Sequence, residues 1–218
     1  MLAVTGNPVL IVVDIQGGQG AGLPTPGIPV MPGRAERAPR VRDLIAKCRE
    51  GGVPVVFIQE VHKPSLVDIG RELDGAEGPH CIEGDDATEL ASWIDPRPEE
   101  FVIRKRRYSA FFGTELEIVL KAYKAGTVLL VGGLTDVCIH LTAADAHQHD
   151  YTVRVLTDCV AGSSQRAHDA SLEAIEYLQR DALVTAADVH AWIDARVEAA
   201  GAVERVEASS DERMGAHA

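Results

Sequence analysis

Residues 126–139 read G-T-V-L-L-V-G-G-L-T-D-V-C-I. Thr127–Val131 is a short, continuous apolar run, the pattern of a strand buried on both faces. Gly132 and Gly133 then turn the chain, and Cys138 opens a helical segment, Cys138–His149. The same alternation repeats on either side. Upstream lie strand candidates Pro8–Val13, Val53–Ile58 and Phe101–Ile103. Between them, Arg34–Glu50 carries Val41, Leu44, Ile45 and Cys48 at helical spacing. Thr114–Tyr123 has a capping-box start, Thr114 with Glu117, and a stripe of Leu116, Val119 and Leu120. Downstream come strand Thr152–Leu156, helix Gln165–Arg180, strand Ala182–Thr185 and helix Ala187–Ala200. Apolar strands alternating with amphipathic helices predict an α/β domain: six parallel strands in a three-layer α/β/α sandwich, spanning residues 1–202. The polar, small-residue-rich segment 203–218 reads as a flexible tail.

Composition narrows the function. The chain has 218 residues, 46% of them hydrophobic, enough for a sizeable core. Its net charge of −12 speaks against nucleic acid or an anionic membrane as the main partner. No apolar run approaches the ~20 residues of a spanning helix. Four cysteines without C-x-x-C spacing form neither a disulfide framework nor a zinc ribbon, so free thiols in a reducing cytoplasm are expected. G-G-Q-G-A-G (residues 17–22) is not a dinucleotide or phosphate-binding loop, which weakens a nucleotide- or flavin-binding reading.

Chemistry collects where strands end. Asp14 follows the first strand, Lys105 the third and Cys138 the fourth. If the first and fourth strands are neighbours, all three face the crevice where open α/β sheets bind ligands. A thiol, a carboxylate base and an ammonium make a nucleophile with its activators. A helix start and a nearby cation are expected to favour the thiolate. Singly, each residue also has an ordinary explanation: a turn Asp, a surface Lys, a small buried Cys.

Three motifs carry a family resemblance, from about Val9 to Val189. They are L-I-V-V-D-I-Q (10–16), R-K-R-R-Y-S-A-F-F-G-T (104–114) and V-G-G-L-T-D-V-C-I (131–139). Together they resemble the isochorismatase-like cysteine hydrolases. The resemblance implies strand order 3-2-1-4-5-6 and a triad of Asp14, Lys105 and Cys138. It also implies a cis peptide at Gly133–Leu134, and an oxyanion hole from the N–H groups of Leu134 and Cys138. A filled Cys138 position is similar to the branch that cleaves amide and carbamoyl C–N bonds through a thioester. The alternatives are hydrolysis of another bond, or a non-catalytic α/β small-molecule-binding protein. Gln16, Tyr108, Phe111 and Phe112 are the candidate substrate contacts, since Ile15–Gly20 lacks the Phe that lines the pocket in many relatives.

F-I-Q-E-V-H (57–62) and G-P-H-C (78–81) resemble the metal-binding segments of nicotinamidases in this superfamily. Glu60, His62 and His80 would then hold a divalent metal, Zn, Mn or Fe, with Glu60 standing where those enzymes have Asp. The longer side chain shifts its oxygens by about a bond length, which strains a site with ±0.2 Å tolerance. The family resemblance further implies a homodimer or homotetramer acting on a small-molecule substrate.

Overall fold

The computed structural model describes residues 2–18, 27–75 and 77–215, with side chains described as far as Ala202. Six parallel strands run β1 (Asn7–Val13), β2 (Val55–Glu60), β3 (Phe101–Lys105), β4 (Ala125–Gly133), β5 (Thr152–Ala161) and β6 (Leu183–Val184). Their order is β3-β2-β1-β4-β5-β6. The expected α/β fold and strand order are both observed.

Alternate residues of one strand feed two cores. Val9, Ile11 and Val13 of β1 join Val128 and Leu130 of β4 on one face. The helices α2 (Leu116–Ala122), α3 (His140–Gln148) and α4 (Gln165–Leu178) cover that face. Leu10, Val12, Leu129 and Val131 point the other way, against α1 (Arg34–Glu50) and α5 (Ala186–Gly215). Each such side chain, fully buried, contributes about 1.5–3 kcal/mol. This two-sided burial is why the strands read as unbroken apolar runs.

Several boundaries differ from the sequence reading. β5 continues through Asp158, Cys159 and Val160 to Ala161, because its register shifts between Leu130 and Gly132 of β4 and pairing resumes beyond. The capping box does not form. Thr114 Oγ1 accepts from the Leu116 amide at 3.2 Å, while Glu117 pairs with Lys121 at 2.6 Å. α5 runs past Ala200 to Gly215, a stretch rich in the helix formers Ala, Glu and Arg. The long segment between β2 and β3 is tied down by two single helical turns, Gly70–Asp74 and Asp86–Thr88. Among the described residues, no helix is long and apolar enough to cross a membrane.

Candidate active site

β1 and β4 approach so closely at their ends that only glycine fits at 132. A Cβ there would lie 2.0 Å from the Val13 carbonyl oxygen, and the residue holds φ of +114°. Just beyond, Asp14 adopts φ of +51° and its amide donates to Ile58 O at 3.0 Å. Asp is among the few residues that tolerate this left-handed conformation. The Gly133–Leu134 peptide is cis, as the resemblance implied. Thr135–Ile139 then form a wide π-helical turn, with the Ile139 amide reaching back to Leu134 O at 3.0 Å. Cys138 therefore sits in this turn, with α3 beginning after it at His140. The turn is braced from outside. Thr135 Oγ1 meets His168 Nδ1 at 2.9 Å, and Asp136 accepts from the Ser163 amide at 2.8 Å and its hydroxyl at 2.5 Å.

Asp14, Lys105 and Cys138 meet as the strand ends suggested. Lys105 is fully buried. Its Nζ lies 2.9 Å from Asp14 Oδ2 and 3.4 Å from Cys138 Sγ, and it donates to Glu60 Oε2. Burial works against its charge, but Asp14, Cys138 and Glu60 outweigh that and hold the ammonium well above the ordinary lysine value. Asp14 meets Lys105 as an ion pair, yet neither of its oxygens accepts a well-directed hydrogen bond. Burial, opposed by Lys105 and reinforced by Glu60, pushes Asp14 up to about 6.

The thiolate expectation is corrected. Burial raises the Cys138 thiol well above its usual value. Lys105 pulls it down, but the Asp14 and Glu60 carboxylates add to the rise. Two buried carboxylates share this space with one ammonium, so Cys138 rests as a thiol beside the Asp14 carboxylate, which Lys105 holds as an ion pair. The other cysteines are also free and buried. Burial lifts Cys48 to about 12 and raises Cys81 and Cys159 further. Cys81 is buried, with its sulfur 3.8 Å from Gln16 Nε2.

Glu60 faces two ways. Oε2 meets Lys105, while Oε1 lies 3.2 Å from His62 Nε2 and 2.9 Å from His80 Nε2. The extra methylene, expected to strain a metal site, lets one carboxylate serve both groups. A fourth residue, absent from the sequence reading, completes the cluster: Glu72 Oε2 lies 3.3 Å from His62 Nε2 and 3.5 Å from His80 Nε2. Its place in the aperiodic segment between β2 and β3 left no motif to reveal it. One ligand atom from each of Glu60, His62, Glu72 and His80 lies within 4.8 Å of the others.

This donor set fits a divalent cation. All four residues are buried, and Glu72 accepts no well-directed hydrogen bond at either oxygen. His80 Nδ1 donates to Gly78 O at 2.7 Å, which aims Nε2 at the cluster in the manner of an oriented metal ligand. Burial disfavours a charged His80, but Glu60, Glu72 and the Gly78 carbonyl outweigh it and lift the ring to about 10. Two buried carboxylates thus demand positive charge here, as protons or as a metal.

A cavity of about 140 Å³ opens over the thiol. Asp14, Glu60, Cys138, Gly133, Leu134 and Tyr108 line it. Of the four expected substrate contacts, Tyr108 is well placed. Gln16 reaches the wall, but its amide is fully used: Nε2 donates to Glu60 O at 2.9 Å and Thr88 O at 2.6 Å, while Oε1 accepts from the Glu60 amide at 3.1 Å. It clamps the β1 and β2 ends rather than meeting a ligand. Phe111 and Phe112 do not line the cavity. Phe111 is partly buried against the core and stacks on the exposed His149 at 5.2 Å, and Phe112 is 65% exposed. The basic run is largely neutralised, Arg104 by Glu83 and Arg106 by Asp68.

Residues 8–188 match the model of the isochorismatase domain family. The chain is 31% identical over 173 residues to the maleamate amidohydrolase of Pseudomonas putida, covering 78% of this chain and 79% of that protein. Among solved structures, N-carbamoylsarcosine amidase from Thermoplasma acidophilum is similar with a TM-score of 0.64 at 29% identity, covering 82% of this chain and 95% of that one. The pyrazinamidase of Pyrococcus horikoshii in complex with zinc gives a TM-score of 0.69 at 27% identity, covering 82% and 99%.

Proposed function

The chain belongs to the isochorismatase domain family, and from that premise we propose that it is an amidohydrolase, cleaving the C–N bond of a small amide or carbamoyl substrate through a thioester on Cys138. The observation that carries this reading is the meeting of a thiol, a carboxylate and the buried ammonium that ion-pairs with it under one cavity. The names of the relatives, amide- and carbamoyl-cleaving, support the bond type.

The chemistry follows from the charges. Asp14 takes the Cys138 proton as Sγ bonds to the substrate carbonyl carbon. The oxygen becomes anionic, held by the N–H groups of Leu134 and Cys138, and Lys105 offsets the negative charge. Collapse breaks the C–N bond, and Asp14 passes its proton to the departing nitrogen. Water then gives a proton to Asp14 and attacks the thioester. The sulfur leaves and recovers that proton, releasing the acid. A base near neutrality suits this double role, because it must both accept and return a proton.

Asp14 therefore sets the acidic limb of the rate. Below about pH 6 it is protonated and cannot take the thiol proton, so kcat/KM is expected to fall roughly tenfold per pH unit. Glu60 does not contribute this limb. Burial raises it, but Lys105, His62 and His80 hold it well below the usual carboxylate range. Initial rates of ammonia release between about pH 5 and pH 8 check the assignment, and a flat profile there removes Asp14 as the base.

We also infer that Glu60, His62, Glu72 and His80 would hold a divalent cation of the zinc, manganese or iron class. When bound it supplies a Lewis acid beside the pocket. Metal-stripped protein titrated with Zn²⁺ is expected to bind up to one equivalent, and a His62→Ala/His80→Ala variant none. Glu72→Gln is expected to weaken binding by at least about tenfold, the scale on which even supporting residues of metal sites act. Equal binding by all three proteins rejects these ligands.

A further inference from the structure

The cavity wall carries two further charged side chains that the chemistry above does not use. Arg34 and Arg37, in the first turn of α1, line it together with Cys138. Both are partly buried, and the burial lowers their pKa from the usual arginine value. A guanidinium nevertheless stays charged at neutral pH. Among the described residues, neither meets a carboxylate within ion-pair distance, although Arg40 on the same helix pairs with Asp158 at 3.5 Å.

Each is fixed by backbone carbonyls and, among the described residues, keeps donors in hand. Arg34 donates one bond to Gln16 O at 2.9 Å. Arg37 donates to Pro32 O at 2.8 Å and Met31 O at 3.3 Å, holding the loop that carries Ile28 and Val30 into the cavity wall. Cations at this place cost stability, since the positive end of the helix dipole lies there; the exposed Glu36 of the same turn partly offsets Arg37 but not Arg34. The helix start also has no side-chain cap, because Gly33 precedes it. An anion would correct all of these imbalances at once.

The acidic lining does not answer them. Asp14 and Glu60 are engaged by Lys105, and Glu77 faces His80 at 3.8 Å. The wall also carries apolar side chains, among them Val41, Trp93 and Val137. At about 140 Å³ the cavity takes a molecule near the size of benzene, which an engineered cavity of about 150 Å³ accommodates.

We propose that Arg34 and Arg37 form a carboxylate subsite, and that the substrate is a short acid amide: a carboxylate joined through a few carbon or nitrogen atoms to the amide or carbamoyl group presented to Cys138. The choice of substrate rests on the amidohydrolase reading. The anion subsite itself does not, so it is tested by binding as well as by turnover.

Calorimetric titration with maleate, the four-carbon cis dicarboxylate, gives the first arm. Wild type is expected to bind it. Arg34→Gln and Arg37→Gln are each expected to weaken binding by about 10- to 100-fold, the range of one hydrogen bond to a charged group. Arg37→Lys keeps the charge and is expected to recover part of the loss, which separates charge from folding. Equal affinity across wild type and variants, or no binding to wild type, overturns the subsite. The second arm compares ammonia release from maleamate and from its methyl ester. Wild type is expected to prefer the acid by about 10-fold or more in kcat/KM, and the Arg→Gln variants to lose that preference. If no amide is cleaved while maleate binding still depends on the arginines, the amidohydrolase reading falls and the anion subsite stands. Cleavage of acid and ester at equal rates in wild type overturns the acid-amide specificity.

Discussion

Cys138→Ala is expected to lower kcat for amide cleavage by on the order of 10⁴-fold or more, the scale on which hydrolases lose turnover when their nucleophile is removed. Asp14 and Lys105 would remain, but without sulfur there is no covalent intermediate to split one hard step into two. Direct attack by water would have to replace it. The loss is not a folding effect. Cys138 is a small side chain at the edge of the cavity, and its truncation removes one sulfur from a turn braced by Thr135, Asp136, Ser163 and His168. The melting temperature is expected to move by no more than a few degrees, about 1 kcal/mol at this chain length. Acid-quenched wild-type reactions should also carry the acyl group on the Cys138 peptide, detectable by mass. A variant that retained most of its turnover, with no acylated peptide in the wild type, would falsify the covalent route.

The unequal legibility of this site has physical causes. β1 and β4 were readable because burial on both faces demands continuous apolar residues, as in Val9–Val13 and Val128–Val131. Asp14, Lys105 and Cys138 were readable because each closes a strand or opens a turn, and strand ends converge by topology. Glu72 was hidden, because it reaches His62 and His80 from a single helical turn inside a long segment without periodicity. Arg34 and Arg37 read as ordinary positions of an amphipathic helix, since nothing in their spacing says that the helix start faces a cavity. Phe111 and Phe112 failed for the opposite reason. Their neighbour Tyr108 lines the cavity, but the following turns carry one ring against the edge of the core and the other to solvent. The Cys138 thiol shows the limit most directly. A helix start and a lysine nearby predict a lowered pKa, and only the three-dimensional count of burial and two carboxylates reverses the sign.

Lys105→Met is expected to remove activity and to destabilise the fold, and a second substitution should separate the two effects. In the native chain the ammonium lies between Asp14, Glu60 and Cys138, with no exposed surface. Removing it leaves two carboxylates buried side by side. Losing one partner of a buried ion pair costs about 3–5 kcal/mol, because the remaining charge keeps its desolvation penalty. At this chain length that corresponds to a melting temperature lower by roughly 10 °C. Adding Glu60→Gln deletes one of the stranded charges, and the amide can still donate or accept where the carboxylate stood. The Lys105→Met/Glu60→Gln double variant is therefore expected to regain much of the lost stability while remaining inactive, since the cation beside the developing negative charge is still missing. Such coupling between contacting groups is what a double-mutant cycle measures. Thermal unfolding of the four proteins of the cycle, with ammonia-release assays on each, makes the comparison. If Glu60→Gln lowered the stability of the Lys105→Met variant further, Glu60 would belong to the histidine cluster alone, and the charge balance assigned to Lys105 would be wrong.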